Sequence, residues 1–378
     1  MSAALRREEP SAVRHPEPSA RKKLAFGFVL LLLCVTAVVV GAETFARLKG
    51  FKPWTPSRDQ PMRVEPGGSL GRPHASLGNA YLPGRFVVTL ADGYSFRVTH
   101  GESGLRITRP LSAYADRVSR SQLWIFGCSY THGWSLNDEE TYPWLVQERL
   151  PDYEVVNFGV GGYGTLHSFL QFREALGHGP APKVAVIAYG SFHDARNTLN
   201  RYRMKGVTLT AGPGRVRLPC ARIGRDGGLE IFTVEADYYR PWPLQSRLAF
   251  VHFLEESANR RELLRARSHS VSKAIVAEFK RLADRHGTAL VVAGIFRSPE
   301  TADMLRFARS EGIERVDISV RDAPEFQNLP HDAHPNARAN RRFAERLTAF
   351  LSERVLNQPD PRGANPAFGS RAERAPRP

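Results

Sequence analysis

Cysteine is scarce in this chain: Cys34, Cys128 and Cys220 are the only three among 378 residues. So few exclude a disulfide scaffold, and their spacing fits no cysteine-built metal site. Acidic side chains are also short, 38 against 53 Lys and Arg, which leaves a net charge of +15. Part of that excess sits at the ends, where residues 1 to 23 hold six bases against three acids and residues 356 to 378 hold four against two. The remainder would attract an anionic glycan, a membrane surface or nucleic acid. No nucleic-acid module and no basic motif interleaved with aromatics is present, so nucleic acid is not an expected partner. Internal repeats are absent too.

What the chain does have is one long apolar run, LAFGFVLLLLCVTAVVVGA, from Leu24 to Ala42. It is uncharged and close to the roughly 20 residues that cross a bilayer as a helix. A retained anchor is the expected reading. A cleaved signal peptide is the rival, because Val40, Gly41 and Ala42 offer small residues, but its apolar core would be shorter, roughly 7 to 15 residues. Arg21, Lys22 and Lys23 stand immediately before the run. Positive residues stay inside, so the amino terminus is expected in the cytoplasm and everything after Ala42 outside, periplasmic in a Gram-negative cell.

Composition divides the rest. Residues 1–23 read as a disordered cytoplasmic tail, 24–42 as the membrane helix, 43–110 as a stalk ending in a small β extension, 111–357 as the main domain and 358–378 as a Pro-rich disordered tail. The β extension is marked by RFVVTLADGYSFRV, two β-prone runs around the Asp92-Gly93 turn. In the main domain, buried-type strands at 123–126, 154–158, 183–189 and 289–295 alternate with amphipathic helices near 140–150, from 165, at 271–287 and at 337–355. That alternation predicts an α/β fold, a three-layer α/β/α sandwich with a mostly parallel sheet. Between Asn200 and Arg240 the pattern blurs, as an insertion or long loop would.

Four short stretches carry residues capable of chemistry. Ser129, in GCSYTHG, follows a buried strand, and ligands bind at the carboxyl ends of strands in parallel α/β sheets. Small residues could equally serve only the turn. Asp332 and His334, in PHDAHPN before the last helix, could supply an imidazole base and the carboxylate that fixes its tautomer. His331 is an alternative base, and helix capping by Asp332 or Asn336 is the plain alternative role. The glycines of NFGVGGYG (157–164) allow backbone N–H groups to face an oxyanion; a phosphate loop is the rival, but this is the domain's second strand. Finally, GSFHDARN (190–197) offers His193, Asp194 and Asn197 after the third strand.

Taken in order, these stretches resemble the SGNH, or GDSL-type, hydrolase superfamily, over about Leu123 to Val355. The resemblance implies a flavodoxin-like sandwich and acyl-ester chemistry without a cofactor. It makes Ser129 the nucleophile, His334 the base and Asp332 its orienting acid, with the N–H groups of Ser129 and Gly162 facing the oxyanion. His193 or Asn197 would complete the oxyanion site. Cys128 stands where the family usually has aspartate, the Asp-to-His spacing is one residue shorter than usual, and the family's third-block asparagine has no obvious counterpart. Cys128 is therefore an alternative nucleophile. With the outward-facing anchor, the resemblance implies an acylated carbohydrate as substrate, by hydrolysis or by O-acyl transfer; a catalytically idle module that binds polysaccharide or a partner protein is the reading from another class.

Overall fold

The computed structural model of the protein describes residues 19–55, 62–114, 120–198, 200–210, 216–236 and 239–357. The carboxy-terminal tail and residues 1–18 of the amino-terminal one lie outside the described residues. By contact density the chain divides into two units, residues 1–55 with 241–257, and residues 56–240 with 258–378.

In the first unit the apolar run forms helix α1, Ala20–Leu48, which extends beyond the run at both ends. Leu24, Phe28, Leu31 and Val38 are 61 to 80% exposed, and Ala46 is the helix's one buried residue. A helix this long and apolar with no covered face is able to cross a membrane, and a signal sequence would have the same composition. Its last turns are polar and used. The Glu43 carboxylate accepts the N–H groups of Ala249 and Phe250 at 3.1 and 2.9 Å, at the start of the helix Ala249–Arg265. Those N–H groups have no partner within their own helix, and a carboxylate there also suits the helix dipole. Phe45 and Phe51 both meet the Phe253 ring edge to face. The stalk expected from residue 43 thus begins as helix packed on residues 241–257.

The second unit starts with five short strands: β1 Arg63–Glu65, β2 Gly71–His74, β3 Gly78–Tyr81, β4 Gly84–Thr89 and β5 Ser95–His100. The expected hairpin is β4 and β5, joined across Asp92-Gly93, with β1 added to β4; β2 and β3 make a second hairpin. Residues 62–83 are therefore built into the β extension. Their strands are too short to show a period, yet Val64, Leu70, Leu77 and Tyr81 are buried with Phe86, Val88, Phe96 and Val98.

The α/β domain follows: β6 Ser121–Phe126, α2 Ser129–His132, α3 Tyr142–Arg149, β7 Tyr153–Asn157, α4 Thr165–Leu176, β8 Val184–Tyr189, α5 Phe192–Asn197, α6 Arg201–Thr210, β9 Val216–Ile223, β10 Leu229–Ala236, α7 Ala249–Arg265 (residues 249–257 of which fall in the first unit), α8 Ser268–Arg285, β11 Ala289–Phe296, α9 Pro299–Ser310, β12 Glu314–Val320 and α10 Ala337–Phe350, continued by a π-helical turn at Leu351–Leu356. The sheet runs β12-β11-β8-β6-β7, parallel throughout. This is the doubly wound order whose crevice lies where strand order reverses, between β6 and β8. Alternate residues serve the two faces, as the pleat requires: Leu123 and Ile125 of β6 enter one apolar cluster with Val184 and Val186, and Trp124 and Phe126 enter the other with Ala185 and Ile187. Strand β12 was not anticipated, because Glu314, Arg315 and Asp317 interrupt its apolar pattern, as an edge strand tolerates. The blurred stretch 200–240 holds α6 and the antiparallel β9/β10 hairpin.

Candidate active site

Ser129 lies one short turn beyond β6, at the switch in strand order. The chain leaves the strand through Gly127, where a Cβ would fall 2.1 Å from the Thr131 hydroxyl, so no larger residue fits the turn. Cys128 is extended and buried, and Ser129 opens α2. The Ser129 Oγ lies 2.9 Å from His334 Nε2. His334 Nδ1 meets Asp332 Oδ1 at 2.5 Å, and the same oxygen accepts the His334 backbone N–H at 2.5 Å. The second carboxylate oxygen, Oδ2, accepts the Trp134 indole N–H at 3.0 Å. Burial pushes Asp332 up, but the His334 ring and backbone, with Trp134, outweigh it and hold the carboxyl below its usual range. It stays ionised beside the imidazole, which fixes the Nδ1–H tautomer and leaves Nε2 to accept the serine proton.

The loop bearing Asp332 and His334 is held from three sides. Asn328 accepts the N–H groups of His331 and Asp332, donates its own backbone N–H to His334 O, and sends its side-chain amide to Ser135 O. Asn336 caps α10 through Ala339 N–H and donates to Glu325 O and Gln327 O. His331 turns the other way: its Nδ1 meets Asp92 Oδ2 at 2.5 Å and its ring stacks on Tyr94. It is a tie to the β4/β5 turn, and His334 is the imidazole at Ser129.

The Val160–Tyr163 turn, tied to the β6 end by Val160 N–H on Gly127 O, carries Gly162 at φ +79°, a conformation glycine adopts without strain. The N–H groups around it are largely taken. Val160 N–H bonds Gly127 O, Gly159 N–H bonds Asn157 Oδ1, and Gly161 N–H bonds the Tyr81 hydroxyl at 3.0 Å. The N–H groups of Ser129 and Gly162 have no acceptor among the described residues. Asn157 sends its amide to Thr131 O at 3.0 Å, tying this turn to α2.

Of the other two expected oxyanion residues, Asn197 has its side chain committed elsewhere. Asn197 is fully buried; its Oδ1 accepts Leu166 N–H at 2.9 Å and its amide donates to Ser272 Oγ at 2.8 Å, so it caps α4 and joins it to α8. No bond among the described residues links it to Ser129. His193 is also fully buried, with Nδ1 3.5 Å from Thr165 Oγ1 and Nε2 without a partner among the described residues. Asp194 bonds Tyr189, Ser272 and His269.

Residues that the sequence did not announce support the site from behind. Arg106 is buried, with its Nε on Asp138 at 2.9 Å and its remaining N–H groups on the carbonyls of Arg97, His132, Gly133 and Leu136. It clamps the turn that delivers Trp134. His132 meets His100 ring to ring, Nε2 to Nε2 at 3.0 Å, with Tyr81 stacked on His100 and tilted against His132.

No protein family and no curated protein matches the sequence. Several solved structures are similar in chain path. TesA is 14% identical, with 61% of this chain and 98% of that one covered at a TM-score of 0.38. A member of the lipolytic protein G-D-S-L family from Veillonella parvula is 10% identical, with coverage of 62% and 99% and a TM-score of 0.37. AlinE4, an SGNH-hydrolase family esterase, is 15% identical, with coverage of 63% and 95% and a TM-score of 0.34.

Proposed function

We propose that this protein is a serine-dependent ester hydrolase of the SGNH type, anchored by α1 and acting on an acylated glycan outside the membrane. The observation that carries the reading is the continuous relay from Ser129 Oγ through His334 to Asp332, in which the serine lies 205 positions before the histidine in sequence. Ser129 attacks the ester carbonyl while His334 Nε2 takes its proton; the imidazolium formed is stabilised by Asp332 and then protonates the leaving alcohol. The negative oxygen of the tetrahedral intermediate is met by the Ser129 and Gly162 N–H groups, which have no other acceptor among the described residues. Water then enters and regenerates the serine; a sugar hydroxyl in its place would make the same step an O-acyl transfer. Cys128, buried behind the turn, takes no part.

The glycan rests on the basic balance of the chain and on Arg21, Lys22 and Lys23 ahead of the apolar helix, which orient everything beyond it outward. The test is turnover of 4-nitrophenyl acetate by the full chain in detergent. The Ser129→Ala variant should lose about 10³-fold or more in kcat. Turnover that survives the substitution would overturn the assignment and point to Cys128. A folded wild type without turnover would instead favour a binding module.

A further inference from the structure

Two arginines packed around the site are of different kinds. Arg106 is the structural kind, with a carboxylate partner and carbonyls taking its other N–H groups. Arg203, on α6, is the other kind. Its guanidinium stands 3.6 and 3.7 Å from where a Gly162 Cβ would be, so it lies over the oxyanion turn. It is half-buried, and no acceptor or ion-pair partner for its side chain exists among the described residues. Beside it, Arg196 donates to Tyr163 O at 2.8 Å and lies 4.7 Å over the Phe192 ring, also without a carboxylate among the described residues. Burial, and then the positive charge of Arg196, press the Arg203 guanidinium down to about 9, still charged at neutral pH. Two like charges held together in a half-dry place are costly unless an anion joins them.

The pair is also next to the chemistry. Phe192, under Arg196, packs on Tyr130 at 5.3 Å, and Tyr130 packs on His334 at 5.7 Å. Tyr130, Gly162, Phe192, Arg196 and Arg203 all retain exposed surface. A planar guanidinium pair suits oxyanions with two or more oxygens.

We propose that Arg203 and Arg196 form a receptor, beside Gly162, for an oxyanion carried by the substrate, a carboxylate or a phosphate on the sugar that bears the ester. The role as a substrate subsite rests on the esterase reading above; the anion site itself does not. Docking the acidic group here presents the ester to the Ser129 side of the turn.

The experiment is inhibition of 4-nitrophenyl acetate turnover, by the full chain in detergent, with D-glucuronate, glucose 6-phosphate and the neutral D-glucuronamide. At least one anionic sugar is expected to inhibit about tenfold more strongly than the amide, with the advantage shrinking as salt is added. In Arg203→Gln that preference should fall to about one, and Arg203→Lys should restore part of it, since an ammonium keeps the charge without the fork. Whichever anion wins identifies the group. Equal inhibition by all three sugars in the wild type, or a preference that persists in a folded Arg203→Gln, overturns the proposal. If no ester is turned over, calorimetric titration with the same three sugars reads the same preference, so the anion site and the hydrolase stand or fall separately.

Discussion

A carboxylate holds an imidazole in one orientation only when it is itself held, and here that task falls to Trp134. The indole N–H takes the carboxylate oxygen that His334 does not use. Trp134→Phe keeps the ring but removes the donor. A hydrogen bond to a charged group accounts for about 1.5–3 kcal/mol, so kcat should drop roughly 10- to 100-fold with KM little changed. The acid limb of the pH profile should also move upward, because one of the bonds that lowers Asp332 is gone. An unaltered kcat and profile would reduce Trp134 to packing. At this scale the sequence showed the candidate reacting groups and hid their supports. Ser129, Asp332 and His334 stand in short, ordered motifs, whereas Trp134 meets Asp332 across 198 positions and nothing local marks the pairing. Asn197 misled for a related reason: an asparagine after the third strand suits an oxyanion site, but its position on α5 sends it to the start of α4, where Leu166 N–H needs an acceptor.

Among the elements, the β extension turns out to be part of the site's framework. Arg106, on the segment after β5, fastens the 132–136 turn and Asp138 at once. Arg106→Met keeps much of the volume but strands the Asp138 charge in a nearly dry place, where both side chains of the pair are at most 9% exposed. Loss of one partner from such a pair costs about 3–5 kcal/mol, and urea unfolding should show a loss of that order. A change below about 1 kcal/mol would mean that the pair is solvated like a surface bridge. The parallel strands β6, β8 and β11 were legible because continuous apolar runs buried on both faces announce themselves. The strands between residues 62 and 83 were not, because three or four residues with at most two buried positions each carry no period.

For the molecule as a whole, the buried histidines set an acid limit. Burial is the first cause that lowers His100, to about 4, and that lowers His132, His167 and His193 well below 6.5. The unfolded chain protonates these rings below about pH 6.5 and the folded chain does not, so the unfolded state binds more protons there. Their contribution to stability is complete above about pH 6.5 and is lost as pH falls toward the folded values. Each ring adds a slope of about 1.4 kcal/mol per pH unit while it titrates in the unfolded state alone. Melting temperature should therefore fall steeply from about pH 6.5 to 4, and His100→Gln should make that fall shallower. A flat profile over this window would show that the rings titrate normally.

The ties between the β extension and the catalytic loops bear on how such a protein can change over generations. Tyr81 meets the Gly161 amide, Asp92 meets His331 beside the triad loop, and Arg106 meets Asp138. Each pair joins the amino-terminal strands to a different piece of the site, so a substitution on one side leaves its partner unmatched. Relatives that exchanged or shortened the extension are therefore expected to carry paired replacements at these positions, which an alignment of such relatives would check.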